Sequence, residues 1–436
     1  MTRYLPEGVN LINRRNLLQG AGAWLAQSIV ASKIARAAQS GSEGLIADYR
    51  PKRLLNSSVE YGKNTLPSGI RSRFVDTNTG LRMHVLEAGF EFTGRPCVVL
   101  LHGFPELAYS WRKQFLPLAQ IDCHVLAPDL RGCGRSVVTP VAYDDDLLPY
   151  SMLNRVSDVL GVVRALGHDT VAAVVGHDWG GSIAAWCARL RPDVFRSVVS
   201  ISTPFFSAPS LPLNSANKKQ PVLVEGDPRD DLAALTPPRK HYQDYLATRV
   251  ANDDLWHAPQ GVHDLLRAQY YFKSADWNGN RSFPLKSWAA SEMAKMPKYY
   301  IMDRDKGYAE TMAAQMPTKA QIAACHWLTE EELGVFSTEY TRTGFQGGLN
   351  LYRIFDAAGD LNAFSDRTID VPALYIGGAS EWGPYQAPGV LEHMNDVCTK
   401  LLGVKFVRGA GHSVPEEQPE AVNQLLSSFL RQARVL

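Results

Sequence analysis

Val171-Ala172-Ala173-Val174-Val175 is an apolar, β-branched run, followed directly by Gly176-His177-Asp178-Trp179-Gly180-Gly181 and then by an alanine-rich helical pattern from Ser182 to Leu190. A strand, a polar residue bracketed by small ones, and a helix, in that order, are the setting of a nucleophile elbow. The small residues let the backbone turn sharply enough to hold the central side chain above a sheet. Here the central residue is Asp178, a carboxylate. A carboxylate is poorly suited to opening an ester through an acyl-enzyme. It can attack an electrophilic sp3 carbon and become an alkyl ester itself.

The rest of the chain supplies the sheet such an elbow needs. Arg71 to Asp76 and Leu81 to Leu86 read as two strands joined by an Asn/Gly turn, Thr77-Asn78-Thr79-Gly80. Cys97 to Leu101 is continuously apolar, as in a strand buried on both faces, and ends in His102-Gly103-Phe104-Pro105-Glu106. A helical stretch near Trp111 to Ala119, a strand at Cys123 to Ala127, a helix from Leu153 to Leu166 and a strand at Ser197 to Ser202 continue the alternation. Alternation of this kind implies a mostly parallel, doubly wound sheet. After Thr203-Pro204 it stops for roughly 160 residues, rich in aromatics and without a clear strand, where a helical insertion is expected. Strands resume at Val371 to Ile376 and Lys405 to Arg408, and a helix from Pro419 to Leu430 closes the chain. The expected organisation is a linker at 38–70, a core at 71–203, a helical cap at 204–367 inserted after the sixth strand, and the rest of the core at 368–436.

The 436 residues are 45% apolar and 20% charged, a globular profile, and the net charge of +1 gives no reason to expect a nucleic-acid partner. The N-terminus is separate in character. Arg14-Arg15 precedes Asn16-Leu17-Leu18 and a moderately hydrophobic stretch to Val30, and Ala35-Arg36-Ala37 offers a small-x-small cleavage site. Residues 1–37 therefore read as a twin-arginine export signal leading to a periplasmic or secreted protein. Gln19, Gly20, Gly22, Gln27 and Ser28 interrupt that stretch, so no integral membrane span is expected. The six cysteines form no C-x-x-C pair, and Cys325-His326 has no second pair to match it, which argues against zinc. No metal and no cofactor are expected. Cys97, Cys123 and Cys187 lie in apolar strand or helix patterns and read as buried free thiols.

An elbow nucleophile needs an acid and then a histidine from later in the chain. Gly409-Ala410-Gly411-His412-Ser413 follows the last strand and makes His412 the candidate base. Gly377-Gly378-Ala379-Ser380-Glu381-Trp382 follows the preceding strand, and Glu381 is the one carboxylate there; the alternative place, Thr203-Pro204, holds none. The backbone N–H groups of Phe104 and Trp179 are the candidate oxyanion hole. His102 and His177 read as residues that orient their loops, and Glu106 as a cap of the following helix or a residue lining the site. Trp256, Tyr270, Tyr271, Phe272, Trp277 and Trp288 read mainly as packing of the cap itself.

These motifs resemble the α/β-hydrolase epoxide hydrolases, over a span from about Arg71 to the C-terminus. His102-Gly103-Phe104-Pro105 is similar to that family's oxyanion loop, and Gly176-His177-Asp178-Trp179-Gly180 to its elbow. Gly344-Phe345-Gln346-Gly347-Gly348-Leu349-Asn350-Leu351-Tyr352-Arg353 looks like the segment carrying one of two lid tyrosines, and His241-Tyr242-Gln243 like the other. The resemblance implies Tyr352 and Tyr242 as proton donors to an epoxide oxygen, with Tyr245, Tyr270 and Tyr271 competing for the second role. It also implies a small apolar epoxide and water as substrates, and it admits a homodimer. Glu381 departs from the family, which more often has Asp there, and the cap carries an extra polar, Pro-rich portion at Leu211 to Arg239. Haloalkane dehalogenation uses the same kind of elbow, but those enzymes usually have Asn where Phe104 stands and need no paired lid tyrosines. A catalytically dead hydrolase serving as a binding protein is a third reading, opposed by the complete set Asp178, Glu381 and His412.

Overall fold

The computed structural model describes residues 61–136, 141–208, 228–354, 361 and 363–436. The expected export signal, most of the linker, and Leu211 to Asp227 of the extra cap portion lie outside the described residues. The strands are β1 (Arg71–Asp76), β2 (Arg82–Ala88), β3 (Cys97–Leu101), β4 (His124–Pro128), β5 (Ala173–His177), β6 (Val198–Ile201), β7 (Arg239–His241), β8 (Ile301–Asp303), β9 (Ala373–Gly378) and β10 (Leu401–Val407). Eight of them form one sheet in the order β1-β2-β4-β3-β5-β6-β9-β10, in which only β2 runs against the others.

Both faces of the sheet are covered, and the sequence shows why. Every residue of β3 is buried. Val98 and Leu100 join one apolar cluster while Val99 and Leu101 join the other, as the two-residue period of a strand requires. The second cluster packs under α1 (Met152–Ala165) and α2 (Trp179–Leu190). The first continues without a break into the cap, through α3 (Tyr242–Leu246), α4 (Gly261–Lys273), α5 (Glu330–Thr343) and α6 (Gln346–Arg353), and also takes in α7 (Pro419–Gln432). The cap and the sheet thus share one core.

Two expectations are corrected. The insertion is not free of strands: β7 pairs antiparallel with β8, with His241 opposite Ile301. Three-residue strands are too short to print an alternating pattern on a sequence. The stretch from Tyr61 to Ile70 is also more than a linker. Tyr61 is buried, its hydroxyl bonds Asp129 Oδ1 at 3.2 Å, and its ring lies tilted 4.6 Å from that of His84. The six cysteines are free thiols, five of them buried. No helix among the described residues is long and apolar enough to cross a membrane.

Candidate active site

Strand order reverses between β3 and β5, because β3 is followed by β4 on one side and β5 on the other. A crevice opens outside the carboxyl ends of strands at such a point. The two motifs singled out in the sequence are the loops that leave β3 and β5, so the topology brings them together. Asp178 sits between β5 and α2 with φ 52° and ψ −122°, a left-handed conformation that costs a non-glycine residue on the order of 1–3 kcal/mol. The turn is possible because a Cβ on Gly176 would meet the Gly180 carbonyl, and one on Gly180 the Leu101 carbonyl. Gly103 likewise needs its hydrogen, since the Asp178 side chain occupies the space a Cβ would take. Asp178 Oδ1 accepts the Phe104 N–H at 3.0 Å, and the Trp179 N–H also bonds this carboxylate. The two expected oxyanion donors therefore converge on one side chain.

His412 follows β10, and its Nδ1 lies 2.7 Å from Glu381 Oε1. Its Nε2 points at Asp178 Oδ2 across 3.6 Å, a gap with no hydrogen bond, and Nε2 is buried without a partner. The His412 backbone is pinned from three sides. Its carbonyl accepts His177 Nε2 at 2.7 Å and the Ser202 hydroxyl at 2.8 Å, while its N–H donates to the Lys273 carbonyl at 2.9 Å. The extra methylene of Glu381 is accommodated within this arrangement, and the Ser202 hydroxyl also lies within bonding reach of that carboxyl. Burial pushes the His412 imidazole well down, aided by Lys273 and His177, which leaves it neutral. Burial pushes Glu381 up, opposed by His177, Ser202 and the Gly378 N–H.

The expected helix-capping role of Glu106 is not found. The turn that follows begins at Leu107 without a side-chain cap, and Glu106 instead binds the Gly103 N–H at 2.9 Å and His177 Nδ1 at 2.8 Å. His177 then has an acceptor on each nitrogen, Glu106 and the His412 carbonyl, which fits only the doubly protonated ring. Burial opposes that charge, but the Glu106 carboxylate outweighs it and lifts His177 to about 9. His102 is structural: Nε2 accepts the Leu130 N–H at 2.9 Å and Nδ1 donates to the Gly103 carbonyl at 2.8 Å.

The cap brings two phenols over Asp178. Tyr242 follows β7, and its N–H bonds the Tyr300 carbonyl at 2.8 Å, so the ribbon aims it. Tyr352 lies one turn after Gly348 on α6, where Gly348 packs on the Phe104 ring and Gly347 on Gly132. That close approach sets the Tyr352 ring 5.6 Å from Phe104, 5.2 Å from Trp179 and 6.0 Å from Tyr242. Burial raises both phenols far above their usual range, and the charge of Asp178 adds to it, so both keep their protons. The competitors are engaged elsewhere: Tyr245 with Asp254, Tyr270 with the Pro105 carbonyl, Tyr271 with Gln321. Sequence reasoning missed Lys273, Ser202 and the phenols of Tyr300 and Tyr308, which also feel Asp178. For Lys273 a signal existed, a lone cation ending the aromatic run Tyr270-Tyr271-Phe272. Among the described residues no cluster of His, Cys, Asp and Glu is set to hold a metal ion.

The model of the alpha/beta hydrolase fold family matches residues 96–419. Epoxide hydrolase A of Mycobacterium tuberculosis is 31% identical over 367 residues, covering 82% of this chain and 96% of that protein. Epoxide hydrolase 3 of Siraitia grosvenorii is 30% identical, covering 82% and 96%. Among solved structures, an epoxide hydrolase from an endophytic Streptomyces superposes with a TM-score of 0.66 at 32% identity, covering 84% of this chain and 97% of the other. Epoxide hydrolase A from Mycobacterium thermoresistibile gives 0.62 at 30% identity, with 83% and 98% covered. The chain belongs to the epoxide hydrolases of the α/β-hydrolase fold.

Proposed function

We propose that this protein hydrolyses a small apolar epoxide to a vicinal diol in two chemical steps, with Asp178 as nucleophile and His412 as base. The observation that carries the reading is how Asp178 is held. The Phe104 N–H holds Oδ1 and the Trp179 N–H bonds the same carboxylate, while Oδ2 faces His412 Nε2 beneath two protonated cap phenols. Oδ2 attacks an epoxide carbon, the ring C–O bond breaks, and the departing oxygen takes a proton from Tyr242 or Tyr352. The resulting ester has its carbonyl oxygen, Oδ1, already held by the Phe104 N–H. His412 then takes a proton from water, the hydroxide adds to Cγ, and the oxyanion forms on Oδ1; each such donor is typically worth about 3–4 kcal/mol. Collapse expels the alcohol oxygen, which takes the proton held by His412; the phenolate left by the first step has been reprotonated from solvent, the new carboxylic acid gives its proton back, and Asp178 and the tyrosine are restored. Glu381 as a carboxylate accepts Nδ1–H and leaves Nε2 free to be the base. The 3.6 Å between Nε2 and Oδ2 sets the base beside the ester without a bond that would occupy its free nitrogen.

A halide-releasing reading fits less well. The Phe104 side chain packs against Tyr340, Phe345 and Tyr352 and offers no polar group to a leaving ion. The test is trapping. His412→Gln, mixed with a styrene-type oxide, is expected to accumulate an adduct on Asp178 by intact mass and peptide mapping, while the native enzyme releases diol. Bromide release from a bromoalkane without diol formation from the oxide overturns the reading.

We also propose that residues 1–37 direct twin-arginine export and are removed near Ala37, which puts the mature enzyme in the periplasm or outside the cell. N-terminal sequencing of the exported protein is expected to begin near residue 38, and an intact Met1 on that form sinks the proposal.

A further inference from the structure

We propose that Lys273 is an electrostatic positioning residue for this reaction: its ammonium, buried in the cap wall of the active site, is the standing counter-charge of the catalytic carboxylates. The inference rests on the reading of Asp178 as nucleophile and His412 as base.

Lys273 is the last residue of α4 and is only 7% exposed. Its carbonyl takes the His412 N–H, so the end of the helix and the catalytic loop are locked in register. Its Nζ stands over the ring of Tyr300, 5.3 Å from the centroid, and no ion pair or hydrogen bond holds it among the described residues. Lysine is almost never buried this far without a partner, so something must offset the cost of taking the charge out of water. What surrounds it is the catalytic machinery. Asp178, Glu381 and Glu106 each stabilise the ammonium against burial, in that order.

The influence runs both ways. Burial pushes the Asp178 carboxyl up, and Lys273 is the strongest force holding it down, ahead of His177. Burial pushes His412 down, and Lys273 again leads the charges that reinforce it. With Asp178, Glu381 and Glu106 as carboxylates and His177 and Lys273 as cations, the free site carries one net negative charge. Alkylation of Asp178 passes that charge to the departing oxygen and on to the phenol that protonates it; once this phenolate takes a proton back from solvent, the ester waits for water in a neutral site. Without Lys273 the ester stage keeps a net negative charge, which favours an imidazolium at His412 where a neutral base is required.

The groups facing this cation are few. Asp178 and His177 come from the elbow, Glu106 from the loop after β3, Glu381 and His412 from the loops after β9 and β10. The Tyr300 phenol beside β8 stays protonated, raised by burial. Glu417 stands behind the His412 loop, accepting the Ala275, Gly411 and Ser413 N–H groups, and burial moves it to about 7. It titrates in native enzyme and Lys273 variants alike, and so cancels from the comparison.

The experiment is a pair of pH profiles from single-turnover mixing with a styrene-type oxide, one for formation of the Asp178 adduct and one for its decay. Asp178 must be ionised to attack and His412 must be neutral to act as base, and losing the cation raises the pKa of both. Lys273→Met is therefore expected to move the acid limb of each rate to higher pH by about one unit, about a tenfold loss at a pH on that limb. Lys273→Arg keeps the charge and is expected to keep the limbs near their native positions. Limbs unmoved in Lys273→Met, or moved equally in Lys273→Arg, overturn the proposal, the second because it marks a packing role. If Lys273→Met does not fold, Lys273→Gln removes the charge but keeps a polar end, and is read the same way. Failure of the underlying reading looks different, since no adduct then forms on Asp178 in any variant.

Discussion

Asp178 spends its strained backbone angle and its burial on one result, a carboxylate with one oxygen held and the other free. In the proposed reaction the cap phenols protonate the departing oxygen, and their contribution is measurable separately from the nucleophile. Tyr352→Phe and Tyr242→Phe are each expected to slow adduct formation about 10²-fold while leaving adduct decay near the native rate, because phenols act on the departing oxygen and not on the water. Single-turnover kinetics followed by intrinsic tryptophan fluorescence checks this. Equal losses in both phases count against the assignment. The Glu106–His177 pair makes a second prediction. The folded His177 is lifted to about 9 from an ordinary value near 6.5, so the folded state holds a proton that the unfolded chain releases between those values. That stabilisation is fully present below pH about 6.5 and is lost as pH rises through about 9. Thermal melts are expected to fall across that window for the native protein. In Glu106→Gln the slope should flatten, and at neutral pH the broken buried pair should cost about 3–5 kcal/mol. A native melting temperature flat from pH 6.5 to 9 contradicts the charged state of His177.

Helices and strands differ in how plainly they announce themselves. β3 and β5 were legible because burial on both faces writes a continuous apolar run. The β7–β8 ribbon was not, since three residues a side carry no period, yet it is what aims Tyr242. α6 is the clearest case of an element working through its glycines. Gly347 lies against the Gly132 backbone and Gly348 against the Phe104 ring, which lets the helix descend far enough for Tyr352 to meet Trp179. Gly347→Ala adds one methyl at a backbone contact and must lift the helix. Adduct formation is expected to fall about 10²-fold, the scale of an ångström-sized misplacement, while circular dichroism shows the fold retained. Unchanged kinetics in a folded Gly347→Ala would show that α6 has slack the packing does not suggest.

Across the whole molecule, cap and sheet are bound into one cooperative body. The apolar cluster on the cap side runs unbroken from Val98 to Tyr340, and Arg112 ties Glu332 of the cap to Glu416 of the core in a buried triad. Calorimetry and near-ultraviolet circular dichroism are therefore expected to report one coincident unfolding transition, and a separate early transition of the cap would contradict the shared core. The sheet, the elbow and the three side chains that meet there, Asp178, His412 and Glu381, could be picked out from the chain alone. Each is a local matter: periodicity, small residues flanking a turn, and a polar residue placed just after a strand. Which tyrosines face the nucleophile was not readable from the residues themselves, because Tyr245, Tyr270 and Tyr271 have the same chemistry as Tyr242 and differ only in where the cap turns them. Nor were the charge on His177, the partner of Glu106, or the place of Lys273. Those depend on side chains hundreds of residues apart losing water together, and charge in a protein interior belongs to the neighbourhood that folding assembles rather than to the residue that carries it.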